Sequence, residues 1–247
     1  MQNFKIIPVV DILNSKVVHA HKGERDKYKP LKTYLTNSTD PLDIINIIKK
    51  KFNLTTFYIA DLDAILKKKP NYAILNEISK LKEIEIMIDP GITIYEDTLD
   101  FLKFNIRHMI IGLETLNSIE TLKTIVNKLR NQSVILSIDM YKQKLLTRIN
   151  SFQNQNPLRI INVLQKLEVN KILLLDLYRV GQKIGGISSL YLNIKKNFDG
   201  DVYVGGGIKN YKDIEQYYRN YFAGVLIGTA LYDGSIEPQK LSEIINL

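Results

Sequence analysis

Residues 201–229 read DVYVGGGIKNYKDIEQYYRNYFAGVLIGT. An apolar run at 201–205 ends in Gly205-Gly206-Gly207, a helical stretch near 210–220 follows, and a second apolar run occupies 224–228. Runs that are continuously apolar, rather than alternating, suit parallel strands covered on both faces. Two such strands joined by a helix make one right-handed crossover unit. The glycines at the end of the first strand let a backbone approach a ligand closely, and successive N–H groups can cradle an oxyanion.

The same unit recurs along the whole chain. Strands are expected at FKIIPVVD (4–11), TFYIAD (56–61), IEIMID (84–89), HMIIG (108–112), SVILSID (133–139) and KILLLD (171–176), before the two already quoted. Helices are expected between them. One starts after Asp40-Pro41, an N-cap residue followed by proline at the first helical position, with Ile44, Ile45 and Ile48 on one face. Another opens at Asn117 with Glu120 three residues on, as in a capping box. Others are expected near 71–81, 95–104, 157–168, 187–197 and 237–246. Eight βα units in 247 residues match an α/β fold of one domain, a closed (β/α)8 TIM barrel spanning 1–247.

An internal repeat supports closure. Asp11 aligns with Asp139, Asp61 with Asp176, Pro90-Gly91-Ile92 with Gly206-Gly207-Ile208, and Ile111-Gly112 with Ile227-Gly228. Gly91 to Gly112 and Gly207 to Gly228 are both 21 residues. The barrel therefore has twofold half-barrel pseudo-symmetry, with halves at about 1–131 and 132–247, and an extra segment from Val17 to Leu35 in the first half.

Composition narrows the function classes. Hydrophobic residues at 45% and charged residues at 24% are those of a globular chain, not a disordered one. Cysteine is absent, which excludes disulfides, thiol nucleophiles and thiolate metal sites. No apolar run reaches membrane-helix length, and the N-terminus lacks a signal-peptide pattern, so a cytoplasmic protein with no membrane partner is expected. The net charge of +8 is spread over scattered lysines without interleaved aromatics, so no nucleic-acid partner is expected. Lys67-Lys68-Lys69 after the second strand reads as a solvated turn or as steering for an anionic metabolite. The sequence leaves the oligomeric state open.

In a closed barrel, reactive groups sit where strands end. Asp11 and Asp139 end equivalent strands of the two halves and are expected to face each other across the mouth, as a general acid and a general base. Gly206, Gly207, Gly228 and Thr229 follow strands seven and eight, the usual phosphate site of this fold. Asp61, Asp176 and Arg179 are candidate substrate contacts. The histidines, His19, His21 and His108, have no metal-ligand spacing, and no metal site is expected. The counterpart of the phosphate site in the first half is replaced by Asp89-Pro90-Gly91, with Glu114 two residues after Gly112. Proline removes a donor and the acids repel an anion, so one phosphate pocket, asymmetrically placed, is expected.

IIPVVDI, SKVVHAHKGERDKY, DPLDIINIIKKKF, FYIADLDA, ILSID, VGGGIKN and GVLIGTALYDG together resemble the histidine-biosynthesis phosphosugar isomerase and cyclase barrels over nearly the whole chain. DLDA leans toward the isomerase branch. The resemblance implies an Amadori rearrangement of a phosphoribosyl aminoimidazole carboxamide intermediate, with no metal and no organic cofactor. It matches Asp11 to the family's base, Asp139 to its acid, and Gly206, Gly207, Gly228 and Thr229 to its C-terminal phosphate site. Four departures stand out. Asp89-Pro90-Gly91 replaces a second GGG, Val180-Gly181-Gln182 replaces an Asp-Gly-Thr, Leu175 replaces a threonine, and tryptophan is absent. They point to a divergent paralogue whose partner is a small phosphorylated metabolite, acted on by an aldose–ketose isomerase of altered substrate. The alternative is a phosphometabolite-binding barrel without catalysis.

Overall fold

A computed structural model describes residues 4–129 and 133–245. Eight parallel strands follow the expected order: β1 Lys5–Leu13, β2 Thr56–Asp61, β3 Glu85–Asp89, β4 His108–Gly112, β5 Ser133–Tyr141, β6 Lys171–Asp176, β7 Asp201–Gly205 and β8 Gly224–Ile227. Each pairs with the next, and β8 pairs back onto β1 from Lys5↔Gly224 to Pro8↔Ile227, which closes a (β/α)8 barrel.

Side-chain alternation divides each strand between two cores. Ile7, Tyr58, Ala60, Met87, Ile110, Ile135, Leu173, Tyr203 and Leu226 fill the barrel interior. The alternate residues, among them Val10, Ile59, Ile88, Ile111, Ile138, Leu174, Val204 and Ile227, pack outward under the helices. Helix α1 (Pro41–Phe52) shows why the covering layer forms. The Asp40 side chain accepts the N–H groups of Leu42 and Asp43, Pro41 pre-sets the first turn, and Ile44, Ile45 and Ile48 are fully buried. Each such side chain contributes about 1.5–3 kcal/mol through burial.

The repeat is visible in backbone detail. β1 and β5 both run past the barrel and turn back, at Asn14-Ser15 (φ 51° and 61°) and at Lys142-Gln143 (φ 51° and 64°). Paired positive φ values match the twist of a tight hairpin. The returning strands, Lys16–His19 and Lys144–Leu145, pair antiparallel with β1 and β5. Asn156 caps the helix Pro157–Lys166 as Asp40 caps α1. The expected division at 131/132 lies outside the described residues.

The added segment of the first half is ordered. After Lys16–His19 it makes a 3-10 turn at Arg25–Lys27, and Lys29–Pro30 then pairs back onto Val18 and His19.

Several helices differ from expectation. The helix after β4 is capped by Ser118, whose Oγ accepts the Thr121 N–H; it begins at Ile119, not at Asn117 with a capping box to Glu120. The stretch expected as helix over 95–104 is helical only at Glu96–Leu99. Beyond it the backbone closes i→i+3 turns, as in Phe101 N–H to the Thr98 carbonyl. Among the described residues, no helix is long and apolar enough to cross a membrane.

Candidate active site

Period-two alternation decides which strand-end groups enter the mouth. Interior Val9, Met87 and Ile135 place Asp11, Asp89 and Asp139 on the same inward face, and all three line one cavity. It holds about 1000 Å³ between its walls, open mouth included. Glycines 205–207, Gly228 and Thr229 line it from the β7 and β8 side. The segment after β1 adds His19, Arg25 and Tyr28.

Burial dominates the electrostatics, because desolvation disfavours a charged carboxylate. It raises Asp11 to about 7; Arg25 works against this and Asp89 with it. The Asp11 carboxylate has no hydrogen-bond partner among the described residues. Asp139, only 5% exposed, is pushed well above the usual carboxylate range by burial and then by Glu114 and Asp89. Ser137 Oγ donates to its Oδ1 at 2.9 Å. Asp89 is raised by burial to about 6, despite accepting from Tyr58 Oη at 2.9 Å and from the Gly91 N–H at 3.2 Å. Arg25 donates to Glu114 in an ion pair across the mouth. His19 is lowered by burial, and its Nε2 lies 2.9 Å from Thr229 Oγ1.

The two glycine-bearing ends differ in packing. Gly206 and Gly207 both have φ +87°, where a side chain is strained. A Cβ on Gly207 would also lie 2.9 Å from Arg179 Nε. Gly228 is relieved of no clash: a Cβ there would meet only Val9 Cβ, at 3.7 Å. Its missing side chain leaves room in the cavity. At the equivalent Gly112, a Cβ would lie 3.3 Å from Asp139 Oδ2 and 3.7 Å from Glu114 Cγ, so acids occupy that room. Leu113, fully buried, stands where the second half has Thr229.

Three expected substrate contacts are turned elsewhere. Asp61 and Asp176 follow inward Ala60 and Leu175 by one residue, so they leave the barrel interior. Asp61 accepts the N–H groups of Ala64 and Asn71 and the Asn71 side-chain amide. Asp176 accepts those of Lys142, Gln143 and Tyr178. Both hold loops, and neither lines the cavity. Arg179 also stays behind the wall: its Nη2 donates to the carbonyls of Gly185 and Gly186, and its buried Nε has no partner. Of the lysine triplet, Lys67 is held by Asn14 and Asp63, and Lys68 by the Gly91 carbonyl and Thr93, away from the cavity.

Sequence reasoning missed Arg25, His19, Tyr28, Tyr58 and Tyr232 as cavity residues. For Tyr58 a signal existed, since it shares the parity of Ala60. Among the described residues, no group of three or more His, Asp or Glu side chains is arranged to hold a metal ion.

Comparison with known proteins finds relatives over nearly the whole chain. An uncharacterised protein of Methanocaldococcus jannaschii is 32% identical over 98% of this chain and 98% of its own length. A protein of Lactococcus lactis named 1-(5-phosphoribosyl)-5-((5-phosphoribosylamino)methylideneamino) imidazole-4-carboxamide isomerase is 27% identical over 96% of this chain and 97% of its own. A protein of the same name from Pyrococcus furiosus is 28% identical over 98% and 94%. The family described as histidine biosynthesis protein matches residues 5–237, and the chain belongs to that family.

Proposed function

We propose that the protein is an isomerase performing an Amadori-type aldose–ketose rearrangement on a phosphorylated, sugar-derived substrate. The observation that carries this reading is that Asp11 and Asp139 line one cavity with the open glycine cradle at Gly206, Gly207, Gly228 and Thr229. Relatives named as isomerases support the reaction class.

The two carboxyls divide the work through their environments. Asp139, held protonated by burial and by the acids around it, supplies the proton that opens an aminoaldose ring to a cationic imine. Asp11, raised to about 7, is part-ionised at neutral pH and removes the proton from the carbon beside the imine, which the cation acidifies. Protonation of the imine carbon and loss of the neighbouring hydroxyl proton then give the aminoketose. Gly228 leaves space for a phosphate, and the backbone N–H groups of the β7 and β8 loops are its donors.

The test is turnover by the full chain. Complementation of an isomerase-deficient strain asks whether the histidine-pathway substrate is accepted. On whichever aminoaldose phosphate is turned over, Asp11→Asn and Asp139→Asn should each lower kcat by about a hundredfold or more. Unchanged kcat in both variants overturns the assignment. A second reading, a binding barrel without catalysis, is favoured by the replacement of the first-half cradle with Asp89, Leu113 and Glu114. Phosphate-ester binding with no turnover on prolonged incubation would establish it.

A further inference from the structure

The β3/β4 end of the cavity is the pseudo-symmetric counterpart of the glycine cradle, yet its chemistry is opposite. Asp89 stands in the place of Gly205, Pro90 in that of Gly206, and Leu113 in that of Thr229. Proline brings no N–H, and leucine brings no hydroxyl. Asp89 and Glu114 line this wall, and Asp139 adjoins it. Asp139 is 5% exposed, and its Oδ2, beside Gly112, has no partner among the described residues. Arg25 is the cation nearest these acids among the described cavity residues, and Glu114 already takes it.

A second phosphate seated here would meet like charge and lack donors. Neutral hydroxyls would satisfy lone pairs but leave the acidic excess uncompensated. A cation with several N–H groups does both, since each carboxylate accepts more hydrogen bonds than the protein supplies. The arrangement of these acids does not suit a metal ion.

We infer that this end binds a protonated nitrogen, so that the substrate class is a phosphate monoester carrying an amine or amidinium at its opposite end, held between Asp89 and Glu114. The inference rests on reading the β7/β8 glycines as the phosphate site.

Calorimetric titration of the full chain at neutral pH tests it with three matched series of graded chain length: ω-aminoalkyl phosphates, ω-hydroxyalkyl phosphates and α,ω-alkanediol bisphosphates. At the best length, the amino ester should bind about tenfold tighter than the hydroxyl ester. The bisphosphate should bind no tighter than the hydroxyl ester. Asp89→Asn and Glu114→Gln should each reduce the amine preference, read within each variant as the ratio of the hydroxyl ester's Kd to the amino ester's. Equal binding of the two monoesters, tightest binding of the bisphosphate, or an amine preference intact in both variants overturns the inference while the phosphate site stands. No binding by any ester overturns the phosphate site and this inference together.

Discussion

Arg25 and Glu114, 89 residues apart in sequence, are joined across the barrel mouth by a guanidinium–carboxylate contact of 2.5 Å. The pair ties the added first-half segment to the loop after β4, over the end of the cavity that has Asp89-Pro90-Gly91 where the β7 end has Gly205-Gly206-Gly207. Its side chains are 25% and 22% exposed, so solvent screens it only in part. Removing one partner leaves the other charged and incompletely solvated. Arg25→Met should therefore cost about 1–3 kcal/mol in chemical denaturation, and Arg25→Met with Glu114→Met should cost less than the two single changes added together. Strict additivity would show the contact to be energetically silent.

Asp11 should weaken the fold at neutral pH. Its folded pKa of about 7 lies above the ordinary 3.8, so the folded state holds a proton that the unfolded chain releases as pH rises from about 4. Stability tied to this group is complete below about pH 4 and is lost through about pH 7. Asp89 and Asp139, also raised by burial, act in the same sense; His108 acts in the opposite one, because burial lowers it to about 4 from 6.5, and total stability therefore mixes these groups. The comparison that isolates Asp11 is wild type against Asp11→Asn. The variant should be no more stable at pH 4 and increasingly more stable toward pH 7, by at most about 4 kcal/mol at about 1.4 kcal/mol per pKa unit. A stability difference that is flat with pH in thermal melts would contradict the burial-driven shift.

Much of the fold was legible in the sequence because its signals are local. Asp40-Pro41 announces a helix start, and apolar runs announce strands; both are decided within a few residues. The pairing of Asp11 with Asp139 came from the repeat, a second local pattern compared with itself. Asp61 and Asp176 looked equivalent to these because all four end apolar runs. They differ by one residue of parity, which a single strand reveals only once its inward face is known, as Ala60 and Leu175 now show. Arg25, His19 and Tyr28 were not legible because their positions depend on how the added segment folds back over the mouth. Ser118 displaced Asn117 as cap because either residue type accepts N–H groups, and one step of helix phase decides between them.

Two glycines should separate folding from binding. Gly207→Ala forces a side chain at φ +87° and brings Cβ to 2.9 Å from Arg179 Nε, so it should cost about 1–3 kcal/mol of stability. Gly228→Ala meets only Val9 Cβ at 3.7 Å, so its stability loss should be the smaller, about 1 kcal/mol or less. It should nevertheless weaken inorganic phosphate binding by about tenfold, since the methyl group takes ligand space. Thermal melts and phosphate titrations of both variants check the contrast. Gly228→Ala with wild-type phosphate affinity would remove this loop from the site.

His19 should make anion binding dependent on pH. Burial, and then His21, lower its pKa from 6.5, with Asp233 opposing, so the ring is neutral at pH 7. Its Nε2 lies 2.9 Å from Thr229 Oγ1, at the edge of the glycine cradle. An anion bound there favours the protonated ring, so binding takes up a proton and tightens as pH falls. Sulfate is the suitable probe because it does not titrate in this range, whereas phosphate does. Asp11 and Asp89 also gain protons between about pH 7 and 6 and relieve repulsion of the anion, so some pH dependence persists without the histidine. The expected signature of His19 is therefore a difference: His19→Gln should bind sulfate several-fold, up to about tenfold, more weakly than wild type at pH 6 and nearly equally at pH 8. A deficit of the same size at both pH values would show that the ring contributes only through its hydrogen bond to Thr229.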